Sequence, residues 1–171
     1  MLHTSFIRIT CILIFLLTLK SSAQPYNTGI GLRLGGISSG ITVKHFVNSN
    51  SALEGIVSFR SHSFFITGLY ERHHLFPNAE GLSWFYGGGV HIGFFDDHRY
   101  EYFYYKHHGK KEVFFRDGDA NMSFGGDFIL GLDYKFRNAP VDIALDVKPF
   151  VDFVPGLYGY WEGALTIRFT F

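Results

Sequence analysis

Large apolar residues alternate with polar or small residues along most of the chain after residue 26. In the last segment, Leu165, Ile167 and Phe169 alternate with Thr166 and Arg168. A repeat of two places successive side chains on opposite faces of an extended strand. Eight segments have this repeat, at residues 27–36, 40–47, 52–60, 63–73, 83–95, 122–136, 141–153 and 159–171.

Turn-forming residues separate several of these segments. They are Asn48-Ser49-Asn50, Pro77-Asn78, Asn138-Ala139-Pro140 and Pro155-Gly156. These residues favour tight turns because Pro fixes the backbone angle φ, whereas Gly and Asn tolerate the positive φ that several turn types need. One connection, at residues 96–121, is much longer than the others. The pattern therefore predicts a single all-β domain over residues 24–171 with one extended loop.

The polar faces of these segments favour a sheet that is inside out. In the fifth segment the polar face contains three glycines beside His91, whereas its apolar face carries Trp84, Tyr86 and Phe94. Glycine in a strand suits a crowded, strongly curved surface, and aromatic residues at both ends of an apolar band are typical of strands that face lipid. We therefore expect the apolar faces to meet lipid and the polar faces to line an interior.

A lipid-spanning sheet must close, because an unpaired strand edge in hydrocarbon costs several kcal/mol per polar group. The alternation assigns fourteen charged side chains to the interior of such a barrel: Arg33, Lys44, Arg60, Lys135, Lys148, Arg168, Glu54, Glu71, Asp127, Asp133, Asp142, Asp146, Asp152 and Glu162. Six basic groups against eight acidic groups favour an ion-paired packed core over a gated ion path.

The first residues have the layout of a secretory signal peptide. Arg8 precedes an apolar run at residues 9–19, and Ser21 and Ala23 occupy the −3 and −1 positions of a cleavage site. The run is too short for a spanning helix, which needs about 20 residues; a buried helix or a short membrane anchor is the alternative. The sequence predicts a signal peptide at residues 1–23 and a mature chain that begins at Gln24 and lacks cysteine, since Cys11 is the only cysteine.

With these features the chain resembles the small eight-stranded outer-membrane β-barrels of Gram-negative bacteria, the OmpA/OmpX-like barrels. The resemblance rests on the signal segment, the eight alternating segments and a last strand that ends in Phe. It implies an eight-stranded antiparallel up-and-down transmembrane β-barrel in the bacterial outer membrane, with both termini in the periplasm. It also implies an assembly signal, read by the barrel-assembly machinery, at Leu165, Ile167, Phe169 and Phe171.

Composition and charge limit the partners. The chain has 15 basic and 15 acidic residues, so no basic excess indicates binding to nucleic acid. No motif indicates a cofactor. His98, His107 and His108 lie near Asp96 and Asp97, but their spacing is not that of a metal site, and Asp117 to Asn121 copies only the start of a calcium loop; no metal is predicted.

The long connection carries the candidate interaction surface. Residues 99–105 and 112–116 are predicted to pair as a hairpin around the HHGKK turn, extending the neighbouring strands beyond the membrane. The candidate interaction residues are Tyr100, Tyr102, Phe103, Tyr104, Tyr105, His107, His108, Phe114 and Phe115. Aromatic side chains suit a contact surface, although a rim that packs on itself or on lipid headgroups is the simpler interpretation. The expected partners are outer-membrane lipid, the assembly machinery and an extracellular partner of unknown identity.

Two alternatives remain open at this point. A lipid-modifying outer-membrane enzyme could use Ser61, His62 and Ser63, but adjacency in sequence does not supply a base held by a third group. A secreted or periplasmic β-sandwich that binds a ligand would bury the apolar faces instead of the polar ones. We expect a barrel that is not an enzyme.

Overall fold

The computed structural model describes residues 27–60, 63–95, 99–105, 111–117, 122–154 and 157–171, and the side chains of 99–105, 111–117 and Tyr158 are outside the description. Ten strands make up this part of the chain: β1 (Thr28–Gly35), β2 (Ser39–Asn48), β3 (Ser51–Arg60), β4 (Ser63–Leu75), β5 (Leu82–Phe95), β6 (Arg99–Tyr105), β7 (Lys111–Asp117), β8 (Met122–Lys135), β9 (Val141–Val154) and β10 (Tyr158–Thr170). Within it, no helix is long and apolar enough to cross a membrane.

Eight of the strands form a closed antiparallel barrel in the order β1-β10-β9-β8-β5-β4-β3-β2. Each strand pairs with its neighbour in sequence, except that β5 pairs with β8. The barrel closes between β1 and β10, where Gly29 pairs with Thr170 and Gly35 pairs with Ala164. We call the end at which β1 begins and β10 ends the lower end, and the opposite end the upper end.

The eight-stranded closed barrel predicted from the alternation is confirmed, and the strand bounds differ from the predicted segments by only a few residues. β4 is the largest departure, since it continues to Leu75 instead of ending at His73. Its extension is held by pairing with β5, where His74 lies opposite Trp84 and Leu75 opposite Ser83. Polar histidines interrupt the apolar alternation there, so the strand predicted from the sequence ends two residues too early.

The predicted hairpin in the long connection is also present. β6 pairs with β7 from Arg99 opposite Asp117 to Tyr105 opposite Lys111. The two strands form a sheet of their own, whereas the sequence predicts that they extend the neighbouring barrel strands. Residues 96–98 and 118–121, which would make that join, lie outside the described residues.

The two faces of the barrel divide as the alternation predicted. Large apolar side chains remain exposed on the outward face of every barrel strand, including Leu32 at 62%, Phe128 at 49% and Leu145 at 60%. Charged side chains at the alternate positions are buried, among them Arg33, Glu71 and Asp142. A sheet with this distribution would be unstable as a soluble sandwich, because it exposes its apolar side and buries its charges.

Inward and outward glycines have opposite surroundings. A Cβ at Gly89 on the inward face of β5 would overlap the carbonyl oxygen of Gly68 on β4, whereas a Cβ at Gly68, which points outward, would meet nothing within 4 Å. The inward side of a small barrel is curved so tightly that neighbouring backbones leave no room for a methyl group. Glycine at position 89 is thus required by close approach.

We therefore expect Gly89→Ala to destabilise the barrel by about 1–3 kcal/mol, the usual range for overpacking, because a backbone shift must make room for the methyl group. The matched variant Gly68→Ala should change the free energy of unfolding by less than about 0.5 kcal/mol. Urea unfolding of the refolded barrel in lipid vesicles measures both values. Equal losses in the two variants would contradict the assignment of the faces.

Candidate functional site

The interior of the barrel contains most of the chemistry-bearing side chains that the structure describes. Of the fourteen charged residues assigned to the inside by sequence, twelve are buried, and Arg60 and Lys135 are half-buried. Alternation along the strands places them there, and the closed sheet then brings side chains from opposite walls together. The result is a set of ion-paired groups stacked along the barrel.

The largest group, which we call the lower network, lies nearer the lower end. It consists of Lys44, Glu54, Glu71, Asp133, Asp142 and Arg168, from six different strands. The Lys44 ammonium is 2.8 Å from Glu71 and 3.4 Å from Glu54. The Arg168 guanidinium is 2.8 Å from both Glu54 and Asp142. The Arg168–Glu54 pair joins β10 to β3 and the Lys44–Glu71 pair joins β2 to β4, so the network ties strands that share no backbone hydrogen bond.

Asp133 is the most weakly paired carboxylate of the lower network. Its distances to Lys44 and Arg168 are 3.5 Å and 3.7 Å, longer than a charge-assisted hydrogen bond of about 2.7–2.9 Å. The network as a whole has four carboxyl groups and two formal cations. Buried charges without partners are very costly, so a carboxyl group with contacts this long is the one whose neutralisation disturbs the network least.

Neighbouring side chains add further hydrogen bonds and contacts to the lower network. The Thr42 hydroxyl donates a hydrogen bond to the Glu54 carboxylate. Nε2 of His73 lies 3.0 Å from Oε2 of Glu71. The ring of Phe85 packs under the Lys44 ammonium, which is 4.3 Å from the ring centre. An aromatic face attracts a desolvated cation, and this contact adds a seventh strand, β5, to the group.

Two further contacts hold β1 and its turn. Arg33 donates two hydrogen bonds to Asp146, at 2.6 Å and 2.7 Å, the bidentate geometry that an Arg–carboxylate pair prefers. Glu162 accepts hydrogen bonds from the backbone nitrogen and the hydroxyl of Ser38, at 2.7 Å and 2.9 Å. The turn between β1 and β2 is thereby anchored to β10.

An upper cluster occupies the other half of the lumen. The two ring nitrogens of His91 lie 2.7 Å from Asp127 and 2.7 Å from Asp152. Lys148 donates a hydrogen bond of 2.7 Å to the second oxygen of Asp127. An imidazole that donates from both nitrogens is protonated, and in that state two cations face two carboxylates. The cluster is then electrically balanced.

Sequence reasoning missed the apolar layer inside the barrel. Inward positions are expected to be polar, but five apolar side chains are buried together there: Ile56, Leu69, Phe85, Ile129 and Ala144. The available signal was that Ile56 shares a face with Glu54 and Ser58, and that Leu69 shares one with Thr67 and Glu71. An apolar residue on an otherwise polar face marks a position where inward side chains pack against each other and not against charges.

Space inside the barrel is unequally distributed. A cavity of about 510 Å³ opens at the lower end and is lined by Phe46, His73, Leu75, Ser83, Asp133 and Lys135. Near the upper end, between Arg60, His91 and Glu162, the free volume is only about 20 Å³, enough for about one water molecule. Buried side chains of the lower network and of the apolar residues around Phe85 lie between these two spaces.

For the aromatic residues of the long connection, the structure describes the backbone pairing of β6 with β7 and not the side chains. Tyr102 pairs with Phe114, and Glu101 pairs with Phe115. His107 and His108 lie outside the described residues, as do His98 and the Ser61–His62 pair. The described residues include no group of three or more His, Cys, Asp or Glu side chains placed to hold a metal ion.

The predicted assembly-signal residues lie on the outward face of β10 and just after it. Leu165 and Ile167 are 40% and 46% exposed, Phe169 is half-buried, and Phe171 is 65% exposed. Phe169 and Phe171 are neighbours with ring centres 6.4 Å apart. The four side chains form an apolar edge along the closing seam, where Phe171 and Thr28 of β1 exchange two backbone hydrogen bonds.

Comparison with known proteins identifies the fold. The N-terminal β-barrel domain of Pseudomonas aeruginosa OprF matches this chain with a TM-score of 0.61 at 14% sequence identity, covering 86% of this chain and 100% of that domain. Neisserial surface protein A (NspA) matches with a TM-score of 0.48 at 11% identity, covering 84% of this chain and 94% of NspA. No protein-family model and no curated protein matches the chain. The likeness to the OprF domain confirms, at the level of the fold, the resemblance to small outer-membrane barrels.

The lower network predicts unequal effects of single substitutions. Arg168→Leu should destabilise the barrel by about 3–5 kcal/mol, because it leaves Glu54 and Asp142 buried without their main cation. Asp133→Asn should lower the free energy of unfolding less than Asp142→Asn does, since Asp133 lies farther from its cations than Asp142 does. Unfolding midpoints in urea provide the ranking, and a loss from Asp133→Asn equal to that from Arg168→Leu would contradict it.

Proposed function

We propose that this protein is an integral outer-membrane β-barrel with a closed polar interior, whose role is structural or surface-interacting through the 96–121 connection. The observation that supports this most strongly is the reversal of polarity. Apolar side chains occupy the outward face of the barrel, and ion pairs fill the inward face. Only a hydrocarbon solvent makes both arrangements favourable at once.

The distribution of aromatic residues supports the same placement. Trp84, Tyr86 and Tyr134 lie near the lower end of the outward face, and Phe64 and Phe94 stack near the upper end with ring centres 4.8 Å apart. Between these two levels the outward positions are mostly aliphatic. Aromatic girdles around an aliphatic band are the arrangement found at the two membrane–water interfaces of transmembrane barrels.

The filled lumen favours a packed core over a conducting path. An eight-stranded barrel has an interior just wide enough for side chains to fill, and the lower network, the apolar layer and the upper cluster follow one another along it. The strands accordingly provide stability, and a function in recognition would be carried by the connections. An enzymatic role has no group of described residues in its favour.

The expected partners follow from this placement. Outer-membrane lipid would surround the band of exposed apolar residues, and the barrel-assembly machinery would read the edge formed by Leu165, Ile167, Phe169 and Phe171. The 96–121 connection would face outward from the cell, with its nine candidate aromatic and histidine residues available to an extracellular partner. The chain would reach this location after cleavage of residues 1–23.

Fractionation of the producing bacterium tests the proposal. The protein should be found in the outer-membrane fraction and should migrate differently in detergent gels before and after boiling, because a closed barrel keeps its backbone hydrogen bonds until it is heated. Recovery as soluble periplasmic material with identical migration in both samples would contradict the proposal and favour a sandwich.

The role of the connection is tested by replacing residues 98–119 with a short Gly/Ser turn. The barrel should assemble as before and keep its heat-dependent migration, because loop-closure entropy changes slowly with loop length. Surface proteolysis of intact cells should cut the unmodified protein within 96–121. A shortened variant that fails to assemble, or a connection that external protease cannot reach, would show that this segment has a structural role.

A further inference from the structure

Three glycines on adjacent strands remove side chains from one part of the outward face. Gly55 on β3 lies opposite Gly68 on β4, and Gly88 on β5 lies opposite Tyr70 on β4. A Cβ at Gly55 or Gly68 would meet no atom within 4 Å, so packing within the barrel does not require glycine at either position. Most other outward positions carry large side chains, so the outward face is indented where these three glycines lie together.

The indentation is a groove of about 560 Å³, which we call the β3–β5 groove. Its walls include Val43, Leu53, Tyr70 and Val90, and His45 lies at its lower end. Across the strands, His45 pairs with Leu53 and Leu53 with Tyr70, so these three residues occupy one level. The groove therefore has aliphatic and aromatic walls, a glycine floor and a polar lower end.

The only formal charge on the outward face of the described barrel strands lies next to the lower end of the groove. Arg72 is exposed, follows Tyr70 on the outward side of β4, and lies opposite Ser51, the first residue of β3. Its guanidinium donates a hydrogen bond of 3.4 Å to the Ser51 hydroxyl. The exposed acidic residue that the structure pairs at this end of the barrel, Glu80, is bonded to Arg137 and not to Arg72.

We propose that the β3–β5 groove binds one phospholipid with an anionic headgroup. Arg72 contacts the phosphate at the lower membrane interface, His45 supplies a second polar contact, and one acyl chain lies over Gly55, Gly68 and Gly88. A guanidinium pairs with phosphate oxygens through two parallel hydrogen bonds, and in an anionic headgroup no cation of the lipid itself offsets the phosphate charge. A chain laid in a preformed apolar groove buries more surface than one against a flat wall. The inference rests on the proposed membrane location of the barrel.

The test uses the mature chain refolded in detergent and titrated with dioleoyl phosphatidylglycerol or dioleoyl phosphatidylcholine, with bound lipid counted by native mass spectrometry. The wild-type barrel should retain one phosphatidylglycerol in preference to phosphatidylcholine. Arg72→Gln should weaken this retention about tenfold or more, as expected for loss of a charge-assisted hydrogen bond, and should abolish the headgroup preference. Gly68→Leu, which fills the groove, should weaken retention of both lipids.

A matched control fills an outward glycine on the opposite wall. Gly163 on β10 has only a backbone oxygen at 3.9 Å near its Cβ position, so Gly163→Leu should bind lipid as the wild type does. Equal lipid retention by wild type, Arg72→Gln and Gly68→Leu would overturn the inference, as would retention that only Gly163→Leu changes. A parallel measurement of insertion into vesicles separates the two proposals. A barrel that inserts but whose lipid retention does not depend on Arg72 or Gly68 disproves only lipid binding in the groove. A chain that does not insert disproves both proposals.

Discussion

The pairing of the first barrel strand with the last is the constraint on which the rest of the structure depends. Seven residue pairs join β1 to β10, from Gly29 with Thr170 to Gly35 with Ala164. This seam turns an eight-stranded sheet into a closed surface with no free edge, and it thereby separates an inside from an outside. A sheet that remained open would leave backbone donors and acceptors along β1 and β10 without partners.

Closure also decides what the interior must contain. Side chains from opposite walls come within bonding distance across a lumen this narrow, so a charge on one strand needs a partner on another. Arg168 and Lys44 meet this need in the lower network, and His91 and Lys148 meet it in the upper cluster. The ion pairs make the fold specific because a slip of one residue in any strand would place its charges outside and its apolar residues within the network.

The sequence allowed prediction of the features that depend on alternation alone. The number of barrel strands, their faces and the hairpin of residues 99–105 with 112–116 all follow from a repeat of two and from turn residues. The ion pairs could not be predicted in the same way, because the contact between Arg33 and Asp146 depends on strand order and stagger around the barrel. The apolar layer around Phe85 and the β3–β5 groove depend on side-chain size at single positions, which a pattern of apolar and polar residues does not record.

Direct measurement of lipid contact along β10 tests the central claim, that the apolar face meets lipid and the polar face is enclosed. Cys11 is the only cysteine of the chain and precedes the expected mature N-terminus, so single cysteines can be placed at 163 to 167 and carry a small trifluoroethyl label in vesicles. Paramagnetic lipid should broaden the fluorine signals at 163, 165 and 167 and leave those at 164 and 166 sharp. Uniform broadening, no broadening, or the opposite alternation would contradict the account.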